Sequence, residues 1–128
     1  MSILTPQNVS RAIGVSRIAV GVALIAAPGR VGQAWLGEGG KTAPTKVALQ
    51  GLGVRDALIG MAVAHSAGDP ARGYRWARTS AIGDAVDLAA TLNARELLPR
   101  SGVVATAALA GAGAVLSIAT SEWLRRSA

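Results

Sequence analysis

The sequence predicts an all-α integral membrane protein, an antiparallel four-helix bundle formed by a single domain over residues 1–128. The composition is 51% hydrophobic and only 16% charged, against about 25% charged residues in an average soluble domain. The chain also has 16 Gly and no Phe. Small residues favour helix packing in lipid, where backbones must approach closely. A soluble helical bundle with scattered surface aromatics is the alternative fold.

Four apolar segments are long enough to cross a bilayer, because about 20 helical residues span its hydrocarbon core. Segment 101–121 has no charged residue and is the clearest signal, whereas charges interrupt the other three. Pro and Gly residues mark the segment ends. We expect one longer loop over 29–46 and two short connections, which favour antiparallel neighbours. The predicted spans are approximately 9–27, 47–67, 76–98 and 102–123.

Aromatic and basic residues predict how these spans sit in the cell membrane. Tyr74, Trp76 and Trp123 lie near span ends and Trp35 lies in the first loop, as expected for an interfacial belt. The side that holds both termini has six basic residues and the other side has five. The denser clusters on the first side favour cytoplasmic termini. We expect membrane lipid as a partner and no nucleic acid, because the basic residues lack interleaved aromatics.

Five ionisable side chains fall near the middle of the predicted spans, where one charge costs about 2.5 kcal/mol or more. Their formal sum is minus one, and opposite charges at one depth predict mutual pairing. Asp84 and Asp87 share a helix face with Ser80 and Thr91, which gives a polar stripe. With few cations in reach, one of the two carboxyls could remain protonated. The five residues are Arg17, Arg55, Asp56, Asp84 and Asp87.

Two of these charges are flanked by glycines with the same spacing. Segments 14–21 (GVSRIAVG) and 53–60 (GVRDALIG) place Arg17 and Asp56, respectively, between two glycines on one face. Because glycines let a neighbouring helix approach closely, we expect Arg17 and Asp56 to lie on facing surfaces. The matching patterns also indicate an inverted internal repeat, as in transporter architecture.

The order of these motifs resembles a known kind of membrane protein. An Arg-containing first span is followed by Pro-Gly-Arg-Val and Trp-Leu-Gly in 28–37, by segment 53–60, and by Gly-Asp-Ala-Val-Asp in 83–87. Over most of its length the chain is similar to small four-span proteins common in actinobacteria, which are broadly DoxX-like. The resemblance implies a four-helix membrane bundle and supplies no secure activity.

The first functional hypothesis is a binding or accessory protein. Arg17 and Arg55 would bind an anionic or carbonyl group of a lipophilic or amphiphilic molecule, and the Asp side chains would orient them. Alternatively, the bundle would dock in a homo-oligomer or a larger membrane complex. Small residues on the fourth span offer an exposed face for docking. They are Ala107, Ala110, Gly111, Gly113 and Ala114.

Three other roles stay open. A membrane-embedded enzyme would use Asp84 or Asp87 as acid or base and Arg55 as an electrophilic stabiliser, in hydrolysis, isomerisation or cyclisation of a lipophilic substrate. An oligomeric proton-coupled transporter would use the Asp pair as a relay. A purely structural role would use the ion pairs to fix helix register. The chain has no Cys and one His, His65, so we expect no metal site and no cofactor.

Overall fold

The computed structural model describes residues 2–128, and this part of the chain contains five α-helices and no strand. Met1, the first residue of the predicted domain, lies outside the described residues. The predicted all-α class is therefore confirmed. The helices are α1 (Pro6–Ala26), α2 (Pro28–Leu36), α3 (Ala43–Ser66), α4 (Pro70–Asn93) and α5 (Arg100–Arg126).

All five prolines of the sequence stand at helix starts. Four of them occupy the first two positions of α1 to α4, and the fifth immediately precedes α5. Proline suits these places because the first N–H groups of a helix have no intrahelical acceptor. Proline therefore sets where each helix begins. The residues are Pro6, Pro28, Pro44, Pro70 and Pro99.

The predicted loop over 29–46 is wrong in its first half. It contains α2, followed by a 3₁₀ turn over Gly37–Lys41. Pro28 ends the first span as predicted, but it also begins the next helix. The new helix ends at Leu36 and is followed by Gly37, whose φ of 74° favours glycine. Trp35, predicted in a loop, lies in this helix, and its indole N–H donates to Thr91 Oγ1 at 3.1 Å.

The long helices also begin earlier than the predicted spans, because apolar composition and not capping defined the predicted limits. The largest difference is at α4, which begins at Pro70 and ends at Asn93, whereas the prediction was 76–98. Arg95 and Glu96, predicted near the end of that span, lie in a 3₁₀ turn before α5.

The four long helices form two closely packed antiparallel pairs, α1 with α3 and α4 with α5. In the first pair, a Cβ added at Gly14 would lie 2.6 Å from the Gly60 carbonyl oxygen. One added at Gly21 would lie 2.5 Å from the Gly53 carbonyl oxygen. The predicted close approach of segments 14–21 and 53–60 is confirmed. The two pairs meet mainly where α3 contacts α4.

The distribution of side chains is the reverse of that in a soluble protein. Several of the fully buried side chains are serines, whereas many large aliphatic side chains are exposed, such as Leu109 at 76% and Val115 at 69%. Three helices, α1, α3 and α5, are long and apolar enough to cross a membrane. Helix α4 has the same length as α3 but carries five charged residues. These features indicate a membrane protein.

Candidate functional site

The five mid-span charges form one continuous chain of ion pairs, here called the ion-pair ladder. From end to end, the signs of the charges alternate and the four N···O distances are 2.6, 2.8, 3.2 and 3.0 Å. The structure therefore brings together all five residues that the sequence places at one depth. In order, the members are Asp84, Arg17, Asp56, Arg55 and Asp87.

Arg17 is the buried centre of the ladder, with 6% of its side chain exposed. It extends from α1 and donates to Asp56 Oδ1 at 2.8 Å and to Asp84 Oδ1 at 2.6 Å. Two further bonds reach the Ser80 hydroxyl at 2.9 Å and the Ser80 carbonyl oxygen at 2.7 Å. The predicted facing of Arg17 and Asp56 is confirmed. A planar guanidinium with several fixed donors suits such a site, whereas a lysine ammonium does not.

Glycines on two helices leave space for Arg17 and for Asp84, the end member of the ladder whose side chain is 19% exposed. A Cβ added at Gly83 would lie 3.5 Å from the Arg17 guanidinium. One added at Gly113 of α5 would lie 2.6 Å from Asp84 Oδ2. The predicted exposed face of small residues on α5 is therefore wrong at its centre, because Gly113 faces Asp84 and Ala110 is buried. No sequence pattern predicts Gly83 or Gly113 as part of the site, although Gly83 immediately precedes Asp84.

The other end of the ladder lies at the surface between α3 and α4, and it includes Arg55, the most exposed of the five members. Arg55 donates to both Asp87 oxygens, at 3.0 and 3.3 Å, and to Asp56 at 3.2 Å. The exposed fraction of the side chain is 36% for Arg55 and 18% for Asp87, against 7% for Asp56. Their sequence neighbours Val54 and Val86 are exposed and apolar. A charged pair thus emerges at mid-helix within an apolar surface.

The polar stripe predicted on α4 is divided in two by the fold. Ser80 belongs to the site, because it binds Arg17. Thr91 is buried but accepts from the Trp35 indole, away from the ladder. The expectation that few cations lie within reach of Asp84 and Asp87 is wrong, because each carboxylate contacts a guanidinium from α1 or α3.

Two surface grooves lie elsewhere on the molecule. One of about 370 Å³ is lined by residues at the end of α3 and the start of α4, and one of about 280 Å³ lies at the end of α5. Neither groove is lined by a residue of the ladder. The catalytic roles assigned to Asp84, Asp87 and Arg55 gain no substrate cavity from these grooves and stay predictions, as does the proton relay.

Comparison of the chain with protein-family models, with curated proteins and with solved structures finds no match. The resemblance to DoxX-like proteins therefore stays a prediction.

Proposed function

We propose that the protein is an integral four-helix bundle of the cell membrane, in which α1, α3, α4 and α5 all cross and both termini are cytoplasmic. The exposed aliphatic surface supports membrane insertion, and the denser basic clusters on the side of the termini support their cytoplasmic location. Helix α4 can cross because its two carboxylates pair with arginines of α1 and α3, and because its three arginines lie within its first nine residues. Helix α2 has nine residues and a length of only about 14 Å at 1.5 Å per residue, so it does not cross.

Within this bundle, we propose that the protein acts as an accessory subunit that docks a transmembrane helix at Arg55 and Asp87. The observation that carries the proposal is the 36% exposure of Arg55 at mid-span. A charge exposed to hydrocarbon is costly, whereas polar side chains in the membrane readily form hydrogen bonds between helices. A polar side chain from a second helix would cover this end of the ladder.

The ladder also specifies the chemistry of the docking side chain. Arg55 offers donors and Asp87 offers acceptors at the same opening. An amide or hydroxyl side chain satisfies both, because it accepts from a guanidinium and donates to a carboxylate. The exposed apolar neighbours Val54 and Val86 offer a surface on which a helix can pack beside this opening. The helix could belong to a second copy of this chain or to another protein.

Site-specific photocrosslinking in cell membranes tests the docking proposal. A photoreactive residue at Val86, next to Asp87, is compared with one at Ile118 on α5; the two positions are 55% and 53% exposed. We expect a protein adduct at Val86 and none at Ile118. Its mass distinguishes a second copy from a different subunit.

The uncharged double variant Arg55→Gln/Asp87→Asn is the decisive control. It removes both charges, with an isosteric change at Asp87 and a shorter polar side chain at Arg55, and we expect it to abolish the Val86 adduct while the protein level in the membrane is maintained. Equal protein adducts at Val86 and Ile118, or an adduct that persists in the double variant, would contradict docking at the ladder. An adduct with lipid alone at Val86 would instead favour a lipophilic small molecule as the ligand.

A further inference from the structure

A second polar feature lies at one end of the α3–α4 seam, apart from the ladder. The groove of about 370 Å³ lies between the last residues of α3 and the first residues of α4, and its size is within the range of small-molecule sites. Its lining combines basic, aromatic and small side chains. The lining residues are Ala62, His65, Ser66, Arg72, Arg75 and Trp76.

The two guanidiniums of this groove have little neutralisation from the protein. The Nε of Arg72 lies 3.8 Å from Asp69, and both side chains are more than half exposed. Arg75 donates to the Tyr74 hydroxyl at 3.2 Å and makes no ion pair with the described residues. Two nearly unpaired cations beside one groove create a site for an anion.

Another basic pair at the same end of the molecule provides a contrast. Arg125 and Arg126 both contact Glu122, at 2.6 and 2.9 Å. Their charge is therefore partly neutralised at short distance. Arg11 and Arg78 at this end also make no ion pair with the described residues, but they do not line the groove. The positive charge beside the groove therefore comes from Arg72 and Arg75.

The surface below the groove is apolar. On α3, Leu58 and Met61 are 57% and 49% exposed, and on α4 the Trp76 indole is 41% exposed. Arg55 lies seven residues from Ala62, about 10 Å deeper along α3. The surface where α3 meets α4 thus has cationic side chains at the helix ends, then an indole ring, then aliphatic side chains toward the middle of the helices. This order matches a phospholipid, whose charged headgroup is followed by its interfacial region and its acyl chains.

We propose that this groove binds the phosphate of an anionic phospholipid through Arg72 and Arg75, with the acyl chains along the exposed surface of α3. Guanidiniums bind phosphate oxygens with paired N–H groups, and basic pockets between transmembrane helices bind anionic lipid headgroups. An anionic lipid fits better than a zwitterionic one, because the groove lining contains no carboxylate. The inference rests on the proposed membrane insertion but not on docking at Arg55.

Lipid titration of the purified full-length protein in neutral detergent, followed by native mass spectrometry, tests this site. Phosphatidylglycerol, phosphatidylcholine and inorganic phosphate are titrated separately. We expect phosphatidylglycerol to bind most tightly. Since each basic residue contributes roughly fivefold to binding of anionic lipid, Arg72→Gln/Arg75→Gln should weaken it about 30-fold. The matched pair Arg125→Gln/Arg126→Gln should change it less than about threefold, because those arginines are engaged by Glu122.

A second variant keeps all charges and fills the groove. Ala62 lines the groove, and Ala62→Trp should reduce phosphatidylglycerol binding without changing the net charge. If both double arginine variants lost phosphatidylglycerol binding equally and Ala62→Trp lost none, the proposed site would be wrong. Such a result would indicate a general electrostatic attraction of the lipid to the basic end of the protein. Equal binding of phosphatidylcholine, or equally tight binding of free phosphate, would also overturn it. Extraction of cell membranes with alkaline carbonate tests insertion separately, so failure of insertion and failure of the lipid site are distinguishable.

Discussion

At the residue scale, Arg17 is the side chain of the ladder whose substitution we expect to cost the most stability. It makes four hydrogen bonds, two to carboxylates and two to Ser80, while 6% of its side chain is exposed. Removing one partner from a buried ion pair leaves uncompensated charge, which costs more than the pair itself contributes. The loss of Arg17 would leave Asp56 with Arg55 alone and Asp84 without a cation.

We therefore predict that Arg17→Met lowers the free energy of unfolding in detergent by about 3–5 kcal/mol, as expected for breaking a buried pair. Arg11→Met on the same helix is the matched control, because Arg11 is exposed and donates only to Asn8; it should change stability by less than about 0.5 kcal/mol. Adding Asp84→Asn to Arg17→Met should recover part of the loss, because the two residues are coupled. Equal effects of Arg17→Met and Arg11→Met would show that the ladder contributes nothing to stability.

The members of the ladder could be predicted from sequence, but their pairing could not. Counting from the helix ends places all five charges near one depth, and the glycine spacing predicts that Arg17 faces Asp56. The partners of Asp84 and Asp87 depend on how α4 is rotated against the first helix pair. That rotation is set by contacts distant in sequence, such as the fit of Asp84 against Gly113.

At the element scale, the crossing of α1 and α3 depends on backbone contact at glycines. A Cβ at Gly21 would lie 2.5 Å from the Gly53 carbonyl oxygen and 2.7 Å from the Ala57 nitrogen. Both atoms belong to helix backbone and cannot rotate away. By contrast, Gly51 on α3 has no atom within 4 Å of its added Cβ among the described residues.

This contrast predicts opposite effects for two identical substitutions. Gly21→Ala should destabilise the protein by about 1–3 kcal/mol, because overpacking separates the two helices. Gly51→Ala should be neutral or stabilise by up to about 1 kcal/mol, because alanine restricts the unfolded chain. Unfolding in detergent measures both. The close crossing would be refuted by a Gly21→Ala variant that is as stable as the Gly51→Ala variant.

Helix α2 is stabilised by tertiary contacts and not by its local sequence. Its nine residues are too few for a stable isolated helix, and the Pro-Gly at its start is typical of a turn. Tertiary contacts support it instead: the Trp35 indole bonds to Thr91, and Gly102 of α5 leaves space for the Trp35 carbonyl. None of these contacts is visible in the local sequence pattern, so the segment was predicted as a loop.

At the scale of the whole molecule, the ladder connects two helix pairs whose direct contact is limited. Two arginines and one aspartate lie on α1 and α3, and two aspartates lie on α4. In lipid, apolar surfaces gain little from contacting each other, so packing and hydrogen bonds must hold helices together. The ion pairs therefore stabilise the junction of the α1–α3 pair with the α4–α5 pair, where helix packing alone contributes least to association.

Whether α4 crosses the membrane determines the topology of the entire chain. Four crossings leave both termini on one side, whereas crossing by α1, α3 and α5 alone would place the termini on opposite sides. The sequence has no cysteine, so single-cysteine variants give unambiguous labelling with a membrane-impermeant maleimide. Ser2, Thr42 and Ser127 are exposed and lie before α1, before α3 and after α5.

With four crossings and cytoplasmic termini, Ser2→Cys and Ser127→Cys should be protected in intact cells and should react in inside-out vesicles, while Thr42→Cys behaves in the opposite way. Labelling of Ser2→Cys and Ser127→Cys from opposite sides would contradict four crossings and would place α4 outside the bilayer. The ladder argues against that outcome. Its three helices bring their charges together at the middle of each helix, so a bilayer that contains the middle of α1 and α3 also contains the middle of α4.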